Sequence, residues 1–159
     1  MKDLLFLIII SSTVSANAQT IPKELWGKWI VRRELSTHTI SCWDEKEAKK
    51  LLGTKIEYSA EVFRWNNTIT RHPTANEMLI TAEQFHDDKS GRGTNSSQVD
   101  FAQLGITAKQ ASEVSIHHSD ANISGSTSEI PGDDVLIKDQ DTLIFSICNI
   151  YFEAKRTLR

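Results

Sequence analysis

The chain has no excess of charge of one sign. It has 159 residues with 18 Lys and Arg against 21 Asp and Glu, a formal charge of −3. Proteins that bind nucleic acid through the phosphate backbone usually have a clearly basic face, so this balance argues against a nucleic-acid partner. The length is that of one domain, and the 39% apolar content is normal for a packed one.

Sequence templates for catalysis and metal binding are also missing. There is no H-E-x-x-H helix, no G-x-S-x-G elbow and no glycine pattern typical of a phosphate-binding loop. The adjacent His117 and His118 would point to opposite faces of a strand, which does not suit one metal ion. The sequence therefore predicts no catalytic residues, no metal site and no cofactor, and a hydrolase with a spatially assembled His, Ser and Asp site is the weakest alternative.

The longest purely apolar run, Leu4 to Ile10, is too short to span a bilayer. It follows a charged start and precedes a small-residue stretch that ends in Ala16-Asn17-Ala18. These three parts are typical of a secretory signal peptide. We expect residues 1–18 to be removed, residues 19–159 to form one domain with no transmembrane segment, and the protein to be periplasmic or secreted.

Cysteine is scarce, with only Cys42 and Cys148 in the chain. In an oxidising compartment an even pair predicts a disulfide, and here it would close a loop of about a hundred residues. The alternative is a free nucleophilic Cys42 near His38. The wide separation gives no spacing typical of a metal site.

The mature segment alternates in many short stretches that predict a mainly β fold. The first strand spans residues 25–35, with Leu25, Trp29, Val31 and Leu35 expected on one face. Further strands are predicted near residues 54–58, 61–66, 77–80, 113–118, 135–138, 142–147 and 150–156. Helices are predicted over 44–53, from 81 and from 107, and loops over 86–98 and 119–134. About eight strands with two or three short helices fit a small antiparallel up-and-down β-barrel.

The segment Gly27-Lys28-Trp29 on the first strand, followed by a meander and by Arg156 on the last strand, resembles lipocalin-like (calycin) β-barrels. The resemblance implies that Gly27, Trp29 and Arg156 have a structural role at one end of the barrel. There the arginine packs over the indole ring, a cation–π contact worth about 0.5–2 kcal/mol. It also implies that a Cys42–Cys148 bond ties the first connection to the last hairpin.

Binding is the function that remains once these templates are excluded. Possible binding residues are Trp43, Trp65, His86, Asp87 and Arg92, because aromatic groups and polar loops serve as interface anchors. The sequence favours an exported non-enzymatic protein that binds a small apolar ligand or a protein of the cell envelope. The alternative is an inhibitor or immunity-type protein that blocks an envelope enzyme through its polar loops.

Overall fold

Antiparallel strands dominate the computed structural model, which describes residues 20–35, 37, 41–90, 99–118 and 129–157. A 3-10 turn at Lys23–Leu25 precedes the first strand, and the two α-helices of these ranges are α1 (Glu45–Lys49) and α2 (Ala82–Ser90). The nine strands are β1 (Gly27–Leu35), β2 (Lys55–Tyr58), β3 (Val62–Trp65), β4 (Thr68–Arg71), β5 (Thr74–Thr81), β6 (Gln110–His117), β7 (Asp134–Asp139), β8 (Thr142–Ile147) and β9 (Ile150–Arg156).

The strands form one half-barrel sheet in the order β4-β3-β2-β1-β9-β8-β7-β6-β5. Every pair of neighbours is antiparallel. Because β1 pairs with β9, the first and last strands lie side by side in the middle of the sheet. Among the described strands, β4 and β5 are the two edges. The predicted fold class, a mainly β antiparallel up-and-down arrangement with few helices, is confirmed, and the strand count is nine where about eight were expected.

Two apolar clusters cover the two faces of the sheet. The first lies inside the curve of the strands and includes Trp29, Ile56 and Phe63. The second lies on the outer face, where Phe85 of α2 and Phe101 pack against the strands at the β5 side of the sheet. We call these the inner and outer faces. The sheet therefore buries residues on both sides from β5 to β9.

Local signals explain both helix starts. The Asp44 carboxylate accepts from the Glu47 backbone N–H at 2.8 Å, and the Glu47 carboxylate accepts from the Asp44 N–H at 3.3 Å. Thr81 and Gln84 make the same reciprocal pair at 3.1 and 2.8 Å. Each pair satisfies backbone donors that a helix start otherwise leaves without a partner. The predicted helix starts at Asp44 and Thr81 are confirmed.

Three expectations for the elements are wrong. Thr107 does not begin a helix, because β6 begins at Gln110 and pairs with β5 along its whole length. The stretch from His86 is not a loop at its start, since α2 continues to Ser90. Of the predicted loop over 119–134, residues 129–133 are irregular or in a turn as expected and β7 begins at its last residue, whereas residues 91–98 and 119–128 of the two predicted loops lie outside the described residues. A bulge between Val31 and Arg33 shifts the register of β1, so Leu35 joins the outer cluster instead of sharing a face with Trp29.

Candidate functional site

Trp29 and Arg156 lie together at the end of the sheet where β1 begins and β9 ends. The guanidinium carbon lies 4.1 Å from the centre of the Trp29 ring, and Trp29 is completely buried. The Arg156 guanidinium donates to the carbonyls of Trp26, Glu24 and Gln140, the last two at 2.7 and 3.0 Å. The expected packing of this arginine on this indole is present, and it ties the segment before β1 to the last strand.

Gly27 is required beside this contact for two reasons. Its φ of +125° lies in a region that side chains disfavour, and a Cβ there would come within 3.1 Å of the Arg156 Nη1. The glycine therefore allows the backbone to approach the arginine closely. Its role in the structure is to position the chain end, as its placement in the Gly-x-Trp segment implies.

The predicted disulfide between Cys42 and Cys148 is confirmed, with a Cα–Cα distance of 5.3 Å. It links the connection after β1 to the β8–β9 turn. A free Cys42 nucleophile is therefore excluded in this structure. The bond holds the described parts of the chain together at the end of the sheet opposite Arg156.

Side chains fill the interior of the half-barrel. Trp29, Tyr58, Phe63 and Phe152 are each at most 1% exposed, and aliphatic residues pack between them. Tyr58 also donates from its hydroxyl to the Gly132 carbonyl at 2.7 Å. A packed interior of this kind leaves any binding to the surface or to the open side of the sheet.

A groove of about 970 Å³ lies on that open side, and we call it the edge groove. The inner face of β5, β6 and β7 forms one wall, including Leu79, Ser112 and Ile137. The segment Lys23–Glu24 and the end of β9 form the other. The groove lies beside the free edge of the sheet, since β5 pairs with β6 on one side and with no described strand on the other.

The strand β5 brings apolar side chains to both sides of the sheet edge. Ala75 belongs to the inner cluster and Ile80 to the outer one, so Leu79 points inward and Met78 outward. Leu79 is 62% exposed and Met78 49% exposed. Leu79 lines the edge groove, whereas Met78 lies on the outer side of the same edge strand. Exposed apolar side chains on an edge strand are typical of surfaces that bind another chain.

The edge groove contains charges of both signs. Lys23 contributes a positive charge at its rim, and Glu24, Glu77, Asp139 and Asp141 contribute negative ones, whereas the ammonium groups of Lys138 and Lys155 lie near Glu153. Glu77 accepts a hydrogen bond from the Ser112 hydroxyl at 2.7 Å. A wall with mixed charge and apolar contacts suits a polypeptide better than a purely apolar molecule.

A buried carboxylate lies on the outer face next to this region. Glu153 is 4% exposed and accepts hydrogen bonds from Arg33 at 2.9 and 3.2 Å, with Lys138 and Lys155 each 3.6 Å away. Burial raises the pKa of Glu153, but the Arg33 hydrogen bond and the charges of Lys155, Arg33 and Lys138 outweigh it and leave the pKa below its usual value. The group stabilises the β1–β9 pairing as an anion.

His118 belongs to a second polar cluster, beside the turn before β7. Its Nδ1 lies 2.8 Å from the Thr70 hydroxyl, and its Nε2 lies 3.5 Å from an Asp133 carboxylate oxygen. Burial raises the pKa of Asp133, while the Ile130 backbone N–H and His118 act against that shift. The histidine does not line the edge groove, and its ring packs 5.5 Å from that of Phe63. This arrangement connects β4, β6 and the turn and supports a structural role.

The residues that the sequence singled out for binding do not come together. Trp43 and Trp65 pack against the inner cluster and are half-buried. His86 and Asp87 lie on α2, whose helix packs on the outer face. None of these four lines the edge groove, and Arg92 lies outside the described residues. The sheet separates Trp43 and Trp65 from His86 and Asp87, so these residues do not form one binding site.

Sequence reasoning missed the edge groove, although one signal pointed to it. Met78, Leu79 and Ile80 are consecutive apolar residues in a strand, and alternation lets only one face of a strand meet a given core. At least one of them had to be exposed or covered by a second layer. The structure shows both outcomes, because Ile80 is buried under α2 and the other two are exposed.

Within the described ranges, no group of three or more His, Cys, Asp or Glu residues is placed to hold a metal ion. No helix of those ranges has the length and apolar character needed to cross a bilayer. Comparison with protein-family models, curated proteins and solved structures finds no match to this chain. The resemblance to lipocalin-like barrels stays a prediction.

Proposed function

We propose that this protein is an exported, non-enzymatic binding protein whose ligand is an extended segment of a partner protein. The observation that carries the proposal is the eight-residue edge strand β5, which pairs with β6 on one side only and has two exposed apolar side chains beside a 970 Å³ groove. Edge strands offer a row of backbone donors and acceptors to a further strand, and neighbouring pockets then select its side chains.

The composition of the edge groove supports a polypeptide ligand. Leu79 and Ile137 can contact apolar side chains of a bound segment, and Glu77 and Lys23 lie within the same groove for charged or polar ones. A small apolar ligand is less well matched, because the interior that would surround it is filled by the inner cluster. Partial burial at an open edge leaves much of a lipophile in water.

A pair of photo-crosslinking variants tests the proposal. A photoreactive amino acid replaces Leu79 in one variant and Leu52 in the other; Leu52 is 41% exposed and lies in the turn after α1, away from the groove. Both proteins are incubated with the envelope fraction and medium of the producing cell. We expect a discrete crosslinked protein with the probe at residue 79 and none at residue 52.

The charge-introducing variants Leu79→Lys and Leu52→Lys complete the experiment. We expect Leu79→Lys to weaken partner capture at least tenfold and Leu52→Lys to leave it unchanged, with both melting temperatures near that of the parent protein. Equal crosslinking at both positions, or capture that survives Leu79→Lys, contradicts the proposal. Thermal stabilisation by fatty acids that Leu79→Lys abolishes, without any crosslinked protein, would support a small apolar ligand instead. A captured enzyme that loses activity in the complex would support the inhibitor alternative.

A further inference from the structure

Positive charge is concentrated on the outer face of the strands β1 to β4. Trp29, Ile56 and Phe63 point inward and are buried, so their neighbours along each strand point outward. Thr70 is buried on β4 as well, which places Ile69 and Arg71 outward. Apart from Arg33, which is paired with Glu153 of β9, the exposed cations on or beside this surface are Lys28, Arg32, Lys55, Arg64 and Arg71. We call it the basic face.

Strand pairing places these side chains in rows across the sheet. One row runs from Lys28 through Glu57 and Arg64 to Ile69, and Arg71 lies directly opposite Val62. Glu57 is the only acidic residue of the described strands β1 to β4 that points outward with them, and its carboxylate lies 3.9 Å from the Arg64 Nε. The basic face therefore holds five cations against one anion in a chain whose formal charge is −3.

The other half of the outer face has a different character. Helix α2 and the turns near residue 100 cover the outer face on the β5 side, where they present acidic side chains such as Glu83, Asp87 and Asp88 to solvent. No described element packs over the outer face of β1 to β4 in the way that α2 covers the other half. The basic face is therefore the uncovered half of the outer face.

A groove of about 690 Å³ lies at one end of the basic face. Its lining includes the cations Lys28, Lys55 and Arg64, the acid Glu57, and Asn66, Asn67 and Ile30. Three cationic residues and two amides against one carboxylate leave a net positive depression that is suited to a phosphodiester. Ile69, 42% exposed, and the half-buried Ile30 add aliphatic contacts between the charges.

We propose that the basic face docks onto an anionic phospholipid surface. Cations spread in two dimensions over a sheet face, with isoleucines between them, match headgroups that are themselves spread over a plane. An acidic partner protein is favoured less, because the cations are not confined to this groove but extend to Arg32 on β1 and Arg71 on β4. Juxtamembrane cations add attraction that falls off within a Debye length, about 10 Å at 0.1 M salt.

Vesicle sedimentation tests this proposal. The chain is mixed with vesicles of phosphatidylglycerol and phosphatidylcholine in equal parts, and in parallel with phosphatidylcholine alone. We expect binding to the mixed vesicles only, and release in about 1 M salt, where the Debye length is about 3 Å. Binding to both kinds of vesicle, or to neither, overturns the proposal.

Two double variants with the same change in net charge locate the surface. Lys28→Gln with Lys55→Gln removes two cations of the basic face, and Lys46→Gln with Lys109→Gln removes two exposed cations elsewhere. We expect the first to lower the vesicle partition coefficient about thirtyfold, since each cation near an anionic surface contributes about fivefold. The second should change it less than threefold.

Circular dichroism and melting temperature show that each variant is folded. Equal losses in both double variants would mean that only net charge matters and would overturn the assignment of the face. Binding of a polyglutamate peptide that Lys28→Gln with Lys55→Gln abolishes, without vesicle binding, would replace the membrane with an acidic protein. The Leu79 experiments on the edge groove are independent of these outcomes.

Discussion

Replacement of Arg156 by alanine tests whether the arginine closes the end of the sheet. Its side chain is 15% exposed, donates to three backbone carbonyls and stacks on a buried indole. A hydrogen bond from a charged donor contributes about 1.5 kcal/mol or more, and a partly desolvated cation–π contact adds about 1 kcal/mol. The ion pair with Asp141 at 3.5 Å adds little, because Asp141 is 67% exposed.

We expect Arg156→Ala to lower the free energy of unfolding by about 4 kcal/mol, less than the sum of the three hydrogen bonds and the ring contact, because water can replace the arginine at the exposed carbonyls of Glu24 and Gln140. In a domain of this size that corresponds to a fall of about 10 °C in melting temperature. Arg156→Lys should lose about 2 kcal/mol, since an ammonium cannot reproduce the planar fork or the stacking. Urea unfolding followed by tryptophan fluorescence measures both variants.

Arg71→Ala is the matched control for this measurement. Arg71 is exposed on β4, so its removal should change the free energy of unfolding by no more than about 0.5 kcal/mol. A loss of less than about 1 kcal/mol in Arg156→Ala would refute the reasoning, because solvent would then be replacing the carbonyl contacts. Full recovery in Arg156→Lys would show that charge alone matters and that the stacked geometry does not.

Two further predictions concern the covalent link and the buried carboxylate. The double variant Cys42→Ser with Cys148→Ser should lose about 4–5 kcal/mol of the free energy of unfolding measured in urea, because the bond closes a sequence separation of 106 residues. A loss below about 1 kcal/mol, or no matching loss when the disulfide of the parent protein is reduced, would contradict this prediction. Glu153→Gln should be less stable than the parent at pH 7, and the difference should shrink as the pH falls below about 4. The pKa of Glu153 is lowered in the folded state, so its contribution to stability is complete above the pKa of the unfolded state and is lost as the pH falls through the pKa of the folded state. A difference that is constant from pH 3 to 7 would show that the carboxylate charge is not what matters.

Local sequence patterns were sufficient to predict the helices and strands that bury one face. The C-terminal strands alternate clearly, and β8 and β9 pair from Thr142 opposite Lys155 to Ile147 opposite Ile150. The capping residues Asp44 and Thr81 correctly predicted helix starts because they act within one turn. These features depend on neighbours a few residues apart, which a sequence displays directly.

Features that depend on distant partners were not predictable in this way. Strand β4 has no buried apolar residue, and its only aliphatic side chain, Ile69, is exposed, so alternation gave no signal. The helix expected from Thr107 fails because pairing with β5 outweighs a local preference. The basic face depends on which strands lie side by side and on which half of the sheet α2 covers.

The edge groove could not be predicted from the sequence for a related reason. It lies at the free edge of β5, and a local sequence pattern does not show which strand will lie at the edge of a sheet. The bulge in β1 had a similar effect on the predicted core, because one extra residue moved Leu35 to the opposite face. A sequence therefore predicted the type of fold well and the place of its opening poorly.

The strand order has a consequence for the folding pathway. Every pairing in the sheet joins strands that are neighbours in the sequence, except the pairing of β1 with β9, where Arg33 lies opposite Glu153. Contacts between residues so distant in the sequence raise the entropy cost of closure and slow folding. If the termini were joined and the chain reopened between β4 and β5, at His72-Pro73, every pairing in the sheet would become sequential. The same sheet would then become a low-contact-order meander, in which the last strand synthesised no longer has to find the first.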